Sequence, residues 1–217
     1  MVDQTQRNIR VTIMLIVVFI AILVAGFVNR ILTPRIMHEG EMKVNGLYLL
    51  KTPRVIKPFE LVDEDNQPFT LQQLEGKWTL AFFGFTYCPD VCPTTLATLK
   101  KFKDFMGDSK YLEDTQVLLV TTDPARDTPA KLTEYLEFFD PEFKGVTGDF
   151  MVLQTFATNL NAAFTKVPLK NGDYTIDHTA NVVLINPYGH YHAFFKAPID
   201  ATKVKITYQS VRRVFDS

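Results

Sequence analysis

The sequence predicts an α/β domain with a mixed sheet between layers of helix, preceded by one transmembrane helix. Three observations lead to this prediction: an uncharged apolar run near the N-terminus, an alternation of short buried strands with amphipathic helices after it, and a length of 217 residues, which allows one domain plus an appendage. Strands and helices in that order form a three-layer α/β sandwich. The net charge of −1 gives no reason to expect a nucleic acid partner.

Residues 11–28 form the apolar run, with no charged side chain and a single threonine. Eighteen residues of this kind are long enough to cross the hydrocarbon core of a bilayer as a helix. The run exceeds the apolar region of about 7–15 residues in a cleaved signal peptide. We therefore expect an uncleaved anchor at 11–28, after a short N-terminal segment at 1–10.

The flanking charges do not decide the orientation of the anchor, because Arg7 and Arg10 precede it and Arg30 and Arg35 follow it. A short N-terminus is easily left in the cytoplasm while the larger C-terminal part is exported. No long Arg- and Ser-rich presequence precedes the run. These features favour a bacterial inner membrane, with the domain facing the periplasm.

A solvated linker is expected at 29–43, and the folded domain at 44–217. Within the domain, apolar segments near 59–62 and 68–71 flank a stretch of turn composition, which predicts a hairpin. Residues 78–84 are almost all apolar and predict a strand buried on both faces.

The middle of the domain is predicted to alternate between helix and strand. Apolar residues at three- and four-residue spacing predict a helix from about Thr94 to Met106, and 117–121 predict a second buried strand. A further helix follows, with Thr128 as its N-cap and Pro129 at its first position, and ends near residue 140.

The C-terminal third is predicted to contain a helix at 149–164 and a polar loop at 166–177, which includes Asn171. A strand at 180–185, a turn at 186–189 and a partner strand at 190–195 come next. An amphipathic helix at about 199–215 completes the domain.

The two cysteines of the chain, Cys88 and Cys92, follow the first central strand and lie at the start of the next helix. A helix N-terminus favours the thiolate, which is both the nucleophile and the metal ligand. A structural disulfide across so small a loop would contribute little. Such sheets place their sites at the carboxyl ends of strands, so the pattern indicates the thioredoxin-like arrangement. Soft thiolates bind Cu(I), zinc or iron–sulfur clusters.

A third ligand is expected from one of the four histidines. His178 stands just before a buried strand. In a thioredoxin-like fold, the loop entering that strand lies beside the loop that holds Cys88 and Cys92, here called the cysteine loop. His190 and His192 share one face of a strand and are interpreted as a solvated edge pair. His38 lies in the linker, where the segment 37–42 also has two methionines and is interpreted as solvated.

Three motifs together identify a resemblance to the Sco/SenC family of membrane-anchored copper proteins. They are 85–96 (FTYCPDVCPTTL), 123–129 (DPARDTP), and 177–179 (DHT) followed by 183–189 (VLINPYG). The likeness extends over about 44–215. An asparagine at 186, where many members have aspartate, leaves the ligand positions untouched.

The resemblance implies a thioredoxin-like fold and copper bound by Cys88, Cys92 and His178. It also implies delivery of copper to the dinuclear copper centre in subunit II of cytochrome c oxidase, or reduction of the cysteines of that subunit. Asp123 and Arg126 match a family motif near the site and are interpreted as supporting residues. The set would hold Cu(I), and the same ligands can also hold Cu(II).

Other functions use the same residues. A membrane-tethered thiol–disulfide oxidoreductase would use Cys88 and Cys92 as a redox pair, with His178 tuning the thiolates. The usual oxidoreductase motif has two intervening residues, whereas this chain has three. A copper or redox sensor would differ only in its partner. A zinc site would require a fourth ligand, and the spacing around Thr86 does not match a peroxiredoxin.

Overall fold

The computed structural model describes residues 2–32, 36–170 and 172–215, so Arg35 and Asn171 lie outside the described residues. The chain separates into two compact units, Met1–Ile36 and Met37–Ser217. The first unit contains helix α1 (Val2–Leu32). Its segment Gln6–Val28 is long and apolar enough to cross a membrane, and none of its apolar stretch is buried. This span ends with the predicted run and begins five residues before it.

The second unit contains the remaining elements. Its helices are α2 (Glu39–Val44), α3 (Val91–Met106), α4 (Pro129–Glu137), α5 (Phe150–Asn159) and α6 (Ala201–Phe215). Its strands are β1 (Leu47–Val55), β2 (Leu61–Asp63), β3 (Pro68–Phe69), β4 (Trp78–Gly84), β5 (Thr115–Thr121), β6 (Lys144–Thr147), β7 (Phe164–Pro168), β8 (Tyr174–His178), β9 (Val182–Ile185) and β10 (His190–Phe195).

Most of the strands form one mixed sheet, in the order β1-β10-β9-β4-β5-β6-β2-β3. Strands β4, β5 and β6 run parallel to each other, and the other pairs are antiparallel. Strands β7 and β8 form a separate two-stranded antiparallel sheet. The prediction of a mixed sheet is confirmed, and the carboxyl end of β4 lies at its centre.

Strand β4 is the core of the domain, because all seven of its residues are buried. Alternate side chains of a strand point to opposite faces, so burial of every residue means that both faces of the sheet are covered. Helix α3 contributes Leu96, Leu99 and Phe102 to the buried cluster, and it packs against α6. The position of the cysteines is therefore set by the most buried part of the fold.

Several elements agree with the sequence prediction. Strand β4 has the predicted bounds, β2 and β3 form the predicted hairpin, and β10 pairs with β9. Thr128 caps α4 by accepting a hydrogen bond from the Lys131 amide, and Pro129 occupies the first helical position. Unbroken apolar runs and capping residues are local signals. They predicted these elements correctly because tertiary contacts in the fold favour the same structure.

Other predictions were wrong at the edges of the domain. The helix predicted at 149–164 ends at Asn159, and the predicted polar loop at 166–177 consists largely of β7 and β8. This hairpin buries few side chains, so its sequence lacks an apolar alternation. Strands β1 and β6 were missed, as was helix α2 within the expected linker.

The prediction of a solvated pair at His190 and His192 was wrong. Strand β10 lies between β1 and β9, so it is not an edge. The His192 ring packs at 5.3 Å from the Trp78 ring centroid and 5.9 Å from that of Phe215. Burial lowers the pKa of His192. The side chain is a packed part of the sheet face.

Candidate functional site

Gly84, the last residue of β4, allows a sulfur atom to approach the sheet. A Cβ atom at this position would lie 2.8 Å from the Cys92 sulfur and 2.8 Å from a ring carbon of Phe82. Real Cβ atoms do not tolerate contacts that short, so any larger residue would displace its neighbours. Glycine here is thus a requirement of the site.

Helix α3 begins at Val91, three residues before the predicted start, so Cys92 lies in its first turn. The amide of Cys92 donates a hydrogen bond to the Cys88 sulfur at 3.4 Å, and the Cys88 amide donates to the Phe85 carbonyl at 3.2 Å. Cys92 is buried, Cys88 is half-buried, and both are free thiols. One sulfur is therefore fixed in the core while the other reaches the surface.

The two cysteines differ strongly in acidity. The hydrogen bond from the Cys92 side chain lowers the pKa of Cys88 to about 3, against the opposing effect of burial, with smaller contributions from His178 and backbone amides. The pKa of Cys92 is raised by its hydrogen bond to Cys88 and by burial. The pair thus carries one thiolate, on the more accessible sulfur, and retains the second proton on the buried one.

His178 completes the group from the last position of β8. Its Nε2 lies 3.6 Å from the Cys92 sulfur, and its Nδ1 lies 3.3 Å from the Thr179 carbonyl oxygen. A carbonyl only accepts, so this contact places a proton on Nδ1, while Nε2 is the ring atom that faces the sulfurs. The ring packs edge-on against Phe82 and Phe85, with centroids 5.8 and 5.9 Å apart.

The ligand atoms of Cys88, Cys92 and His178 all lie within 4.8 Å of one another. Across the described ranges 2–32, 36–170 and 172–215, this is the one group of three or more such side chains close enough to share a metal ion. The structure therefore brings together the three residues predicted from the sequence. Two sulfurs and one imidazole nitrogen form a soft donor set, which suits copper in its reduced state.

Asp127 was not predicted as a functional residue, yet its carboxylate binds Thr86 in the cysteine loop. This fully buried carboxylate accepts hydrogen bonds from the Thr86 hydroxyl and from the Thr121 hydroxyl, each at 2.6 Å, and from the Thr86 amide at 3.1 Å. Burial raises the pKa of Asp127. Its place in the 123–129 motif was the available signal, but only Asp123 and Arg126 of that motif were predicted to be supporting residues.

None of the other histidines in the described part of the chain joins this group. In the segment 37–42, Met42 is buried in the core and the Met37 amide donates a hydrogen bond to the Ser210 hydroxyl, whereas residues 38–40 are exposed. A cavity of about 290 Å³ lies against His178. A larger cavity of about 410 Å³, lined in part by Arg54, has none of the three candidate ligands in its wall.

Comparison with known proteins places this geometry in context. The SCO1/SenC family model matches residues 49–213. A curated relative from Stutzerimonas stutzeri is 40% identical over 152 residues, which cover 70% of this chain and 74% of that protein. The SCO2-like protein RP587 of Rickettsia prowazekii is 32% identical over 170 residues, with 77% of each chain covered.

Solved structures show the same similarity. The copper-bound ScoI of Bradyrhizobium japonicum is 36% identical, with a TM-score of 0.64 over 73% of this chain and 98% of that one. Copper-bound ScoI of Arabidopsis thaliana is 29% identical, with a TM-score of 0.68 over 73% and 99%. The predicted fold class is confirmed by these neighbours.

Proposed function

Because the chain belongs to the SCO1/SenC family, we propose that it is a membrane-anchored copper metallochaperone that holds its cargo through Cys88, Cys92 and His178. The observation that carries this proposal is the approach of the three ligand atoms to within 4.8 Å of one another. The copper-bound relatives from Bradyrhizobium japonicum and Arabidopsis thaliana support copper as the metal.

The donor set explains the choice of metal. Thiolates and imidazole suit Cu(I), whereas a structural zinc site takes four protein ligands and this group has three. Binding requires both cysteines as thiolates and the neutral imidazole, so it should weaken as the pH falls. The same ligands can hold Cu(II). Oxidation of the two thiols to a disulfide, with loss of two electrons and two protons to an external oxidant, would remove both sulfur ligands.

We further propose that the acceptor is the dinuclear copper centre in subunit II of cytochrome c oxidase or another copper protein. The half-buried sulfur of Cys88 is where an incoming thiolate can reach the metal, and transfer would proceed by ligand exchange. Helix α1 would anchor the chain in a bacterial inner membrane, with the second unit facing the periplasm. Its candidate span, Gln6–Val28, supports the anchoring.

A second function, thiol–disulfide exchange, is favoured by one specific observation. The half-buried sulfur of Cys88 accepts a hydrogen bond from the Cys92 amide, which together with the lowered pKa favours its thiolate, while Cys92 is buried beside it. An accessible thiolate with a buried partner is the arrangement of an attacking and a resolving cysteine. In this case the protein would reduce the cysteines of the acceptor or another exported protein before copper arrives.

Copper titration of the reduced full-length protein in detergent tests the metallochaperone. We expect one copper per chain, and His178→Ala should weaken binding by at least about 100-fold, because loss of a ligand should cost no less than loss of a residue that orients one. His38→Ala is the matched control, because it removes an exposed histidine elsewhere. A wild type that binds no copper tightly, or a His178→Ala variant that binds as well, would overturn the three-ligand site.

The same His178→Ala variant separates the two functions. The substrate is a peptide that carries the two copper-site cysteines of the acceptor, joined by a disulfide. If thiol exchange is the activity, His178→Ala should still reduce this disulfide and Cys88→Ser should not. If copper transfer is the activity, delivery to the reduced peptide should fail in both variants. The two assays share their reagents, so each serves as the control for the other.

A further inference from the structure

The histidine of the site is carried by a hairpin that stands apart from the main sheet. Strands β7 and β8 pair only with each other in the described sheets, and His178 is the last residue of β8. At the base of the hairpin, Thr179 and Ala163 exchange two hydrogen bonds of 2.9 and 3.0 Å. No ladder between described strands joins the two sheets, so side-chain contacts contribute to the separation between His178 and the cysteine loop, together with the three residues that connect β8 to β9.

One such contact is made by Arg126, in the loop between β5 and α4. Its guanidinium carbon lies 3.9 Å from the centroid of the Tyr174 ring and 4.8 Å from that of the Tyr87 ring. Tyr87 directly precedes Cys88, and Tyr174 lies four residues before His178 on the same face of β8. A single side chain thus touches both segments that carry the candidate ligands.

Charged groups fix the orientation of this guanidinium. Its Nε is ion-paired with Asp123, which is buried and also accepts a hydrogen bond from the Tyr174 hydroxyl at 3.0 Å. Its Nη1 lies 3.6 Å from Asp173, at the start of β8. Its Nη2 is buried without a hydrogen-bond partner in the described part of the chain, so stacking holds that edge of the group.

We propose that Arg126 is a positioning residue that holds the β7–β8 hairpin against the cysteine loop and thereby sets the distance of His178 from the two sulfurs. The inference rests on the proposed copper site. A planar cation between two aromatic rings is attracted to both faces, and lysine does not reproduce this geometry because its charge is compact and strongly hydrated. The role acts through His178 and requires no contact between Arg126 and the metal.

A double-mutant cycle tests this route in the full-length protein, with copper affinity as the measurement. Arg126→Ala alone should weaken copper binding by about tenfold, the lower end of the range for residues that orient metal ligands. In the His178→Ala background, Arg126→Ala should have no further effect, because the imidazole that it positions is absent. Additive losses in the cycle would overturn the proposal, as would an Arg126→Ala variant that binds copper like the wild type.

Two further variants separate positioning from general stability. Arg126→Lys keeps the charge beside Asp123 but loses the planar stack, so we expect it to bind copper as weakly as Arg126→Ala. Arg54→Ala is the matched control, because Arg54 also stacks on a tyrosine, with its guanidinium carbon 5.2 Å from the Tyr191 ring. Wild-type affinity in Arg126→Lys, or an equal loss in Arg54→Ala, would contradict the inference.

Amide hydrogen exchange gives a readout without copper. In metal-free Arg126→Lys, the amides of β8 should exchange faster while those of β4 and α3 keep their wild-type rates. Unchanged exchange in β8 would show that the stack does not hold the hairpin. If the wild type binds no copper, or if His178→Ala binds copper normally, the proposed function itself fails. If the protein binds copper through His178 but Arg126→Ala has no effect on the affinity, only the role of Arg126 fails.

Discussion

The two segments that form the site are held in different ways. The cysteine loop continues directly from buried strand β4 into helix α3, and Asp127 fixes it through Thr86. The histidine hairpin is a small separate sheet that reaches the loop through side chains such as Tyr174. The difference teaches that one part of the site is continuous with the central strand, whereas the other lies on a separate sheet that joins the main sheet through the short connection from β8 to β9.

That asymmetry would suit the release of copper in the proposed metallochaperone. In that proposal, copper held by two sulfurs on one segment and an imidazole on another would lose the imidazole first, and an incoming ligand would then take the free position. The opening costs only the contacts of the hairpin, because local segments open with less free energy than the global fold. The following predictions test whether the two segments differ in this way.

The largest effect is expected from the cysteine side. Cys92→Ser replaces a buried soft ligand by a hydroxyl, which stays protonated and binds Cu(I) poorly. We expect the reduced full-length variant to lose stoichiometric copper binding, whereas His178→Ala only weakens it. Titration with a competing Cu(I) chelator measures both. Equal losses of copper affinity in the two variants would show that the two segments contribute equally to copper binding, contrary to the difference described above.

Gly84→Ala should destabilise the cysteine side without touching the hairpin. The new methyl group would lie 2.8 Å from the Cys92 sulfur, and such overpacking costs about 1–3 kcal/mol of unfolding free energy. Gly40→Ala is the control, because nothing lies within 4 Å of a Cβ at that helical glycine. Denaturant unfolding of the two variants gives the comparison, and an unchanged midpoint for Gly84→Ala would contradict close packing at the sulfur.

Thr179→Val should loosen the hairpin alone. The substitution removes the hydroxyl that accepts from the Ala163 amide at 3.0 Å, and one such bond contributes about 1 kcal/mol. Because the loss is local, we expect copper affinity to fall by about fivefold while the global unfolding free energy changes little. A global loss with unchanged copper affinity would mean that the hairpin and the core unfold as one unit.

The smallest effect is expected from His192, which belongs to neither segment. Burial lowers its pKa in the folded protein, so the neutral ring stabilises the fold above the pKa of an unfolded histidine, about 6.5, and this contribution is lost as the pH falls below that value. The loss between pH 7 and pH 6 is at most about 0.7 kcal/mol. Denaturant unfolding should show a weaker pH dependence in His192→Leu, and an identical dependence would contradict the burial effect.

The sequence was informative where the chemistry is local. Cys88 and Cys92 follow an unbroken apolar strand and precede a helix, so their placement at the carboxyl end of β4 was predictable from neighbouring residues. The cap at Thr128 and the hairpin of β2 and β3 followed from turn and capping chemistry in the same way. His178 was predicted as the third member of the group from its place before a buried strand of the expected thioredoxin-like fold, and the family motifs implied the same residue.

The sequence was uninformative where a segment is stabilised by distant residues. The hairpin that carries His178 appeared to be a polar loop, because its contacts are with Arg126 and Asp123, about fifty residues earlier. Asp127 has an ordinary place in a turn before a helix, and only the fold shows that it lies under Thr86. Strand β6 is only four residues long and begins with Lys144 and Gly145, which carry no strand signal.

By itself, therefore, the sequence determined the long apolar helix, the central strands and the residue types of the candidate metal site, because apolar runs, capping residues and reactive side chains act through their immediate neighbours. The tertiary structure decided that the Cys92 sulfur packs over Gly84, that Nε2 of His178 lies 3.6 Å from that sulfur, and that Arg126 joins the two segments. These distances result from packing between parts of the chain that are far apart in sequence, which local patterns do not encode.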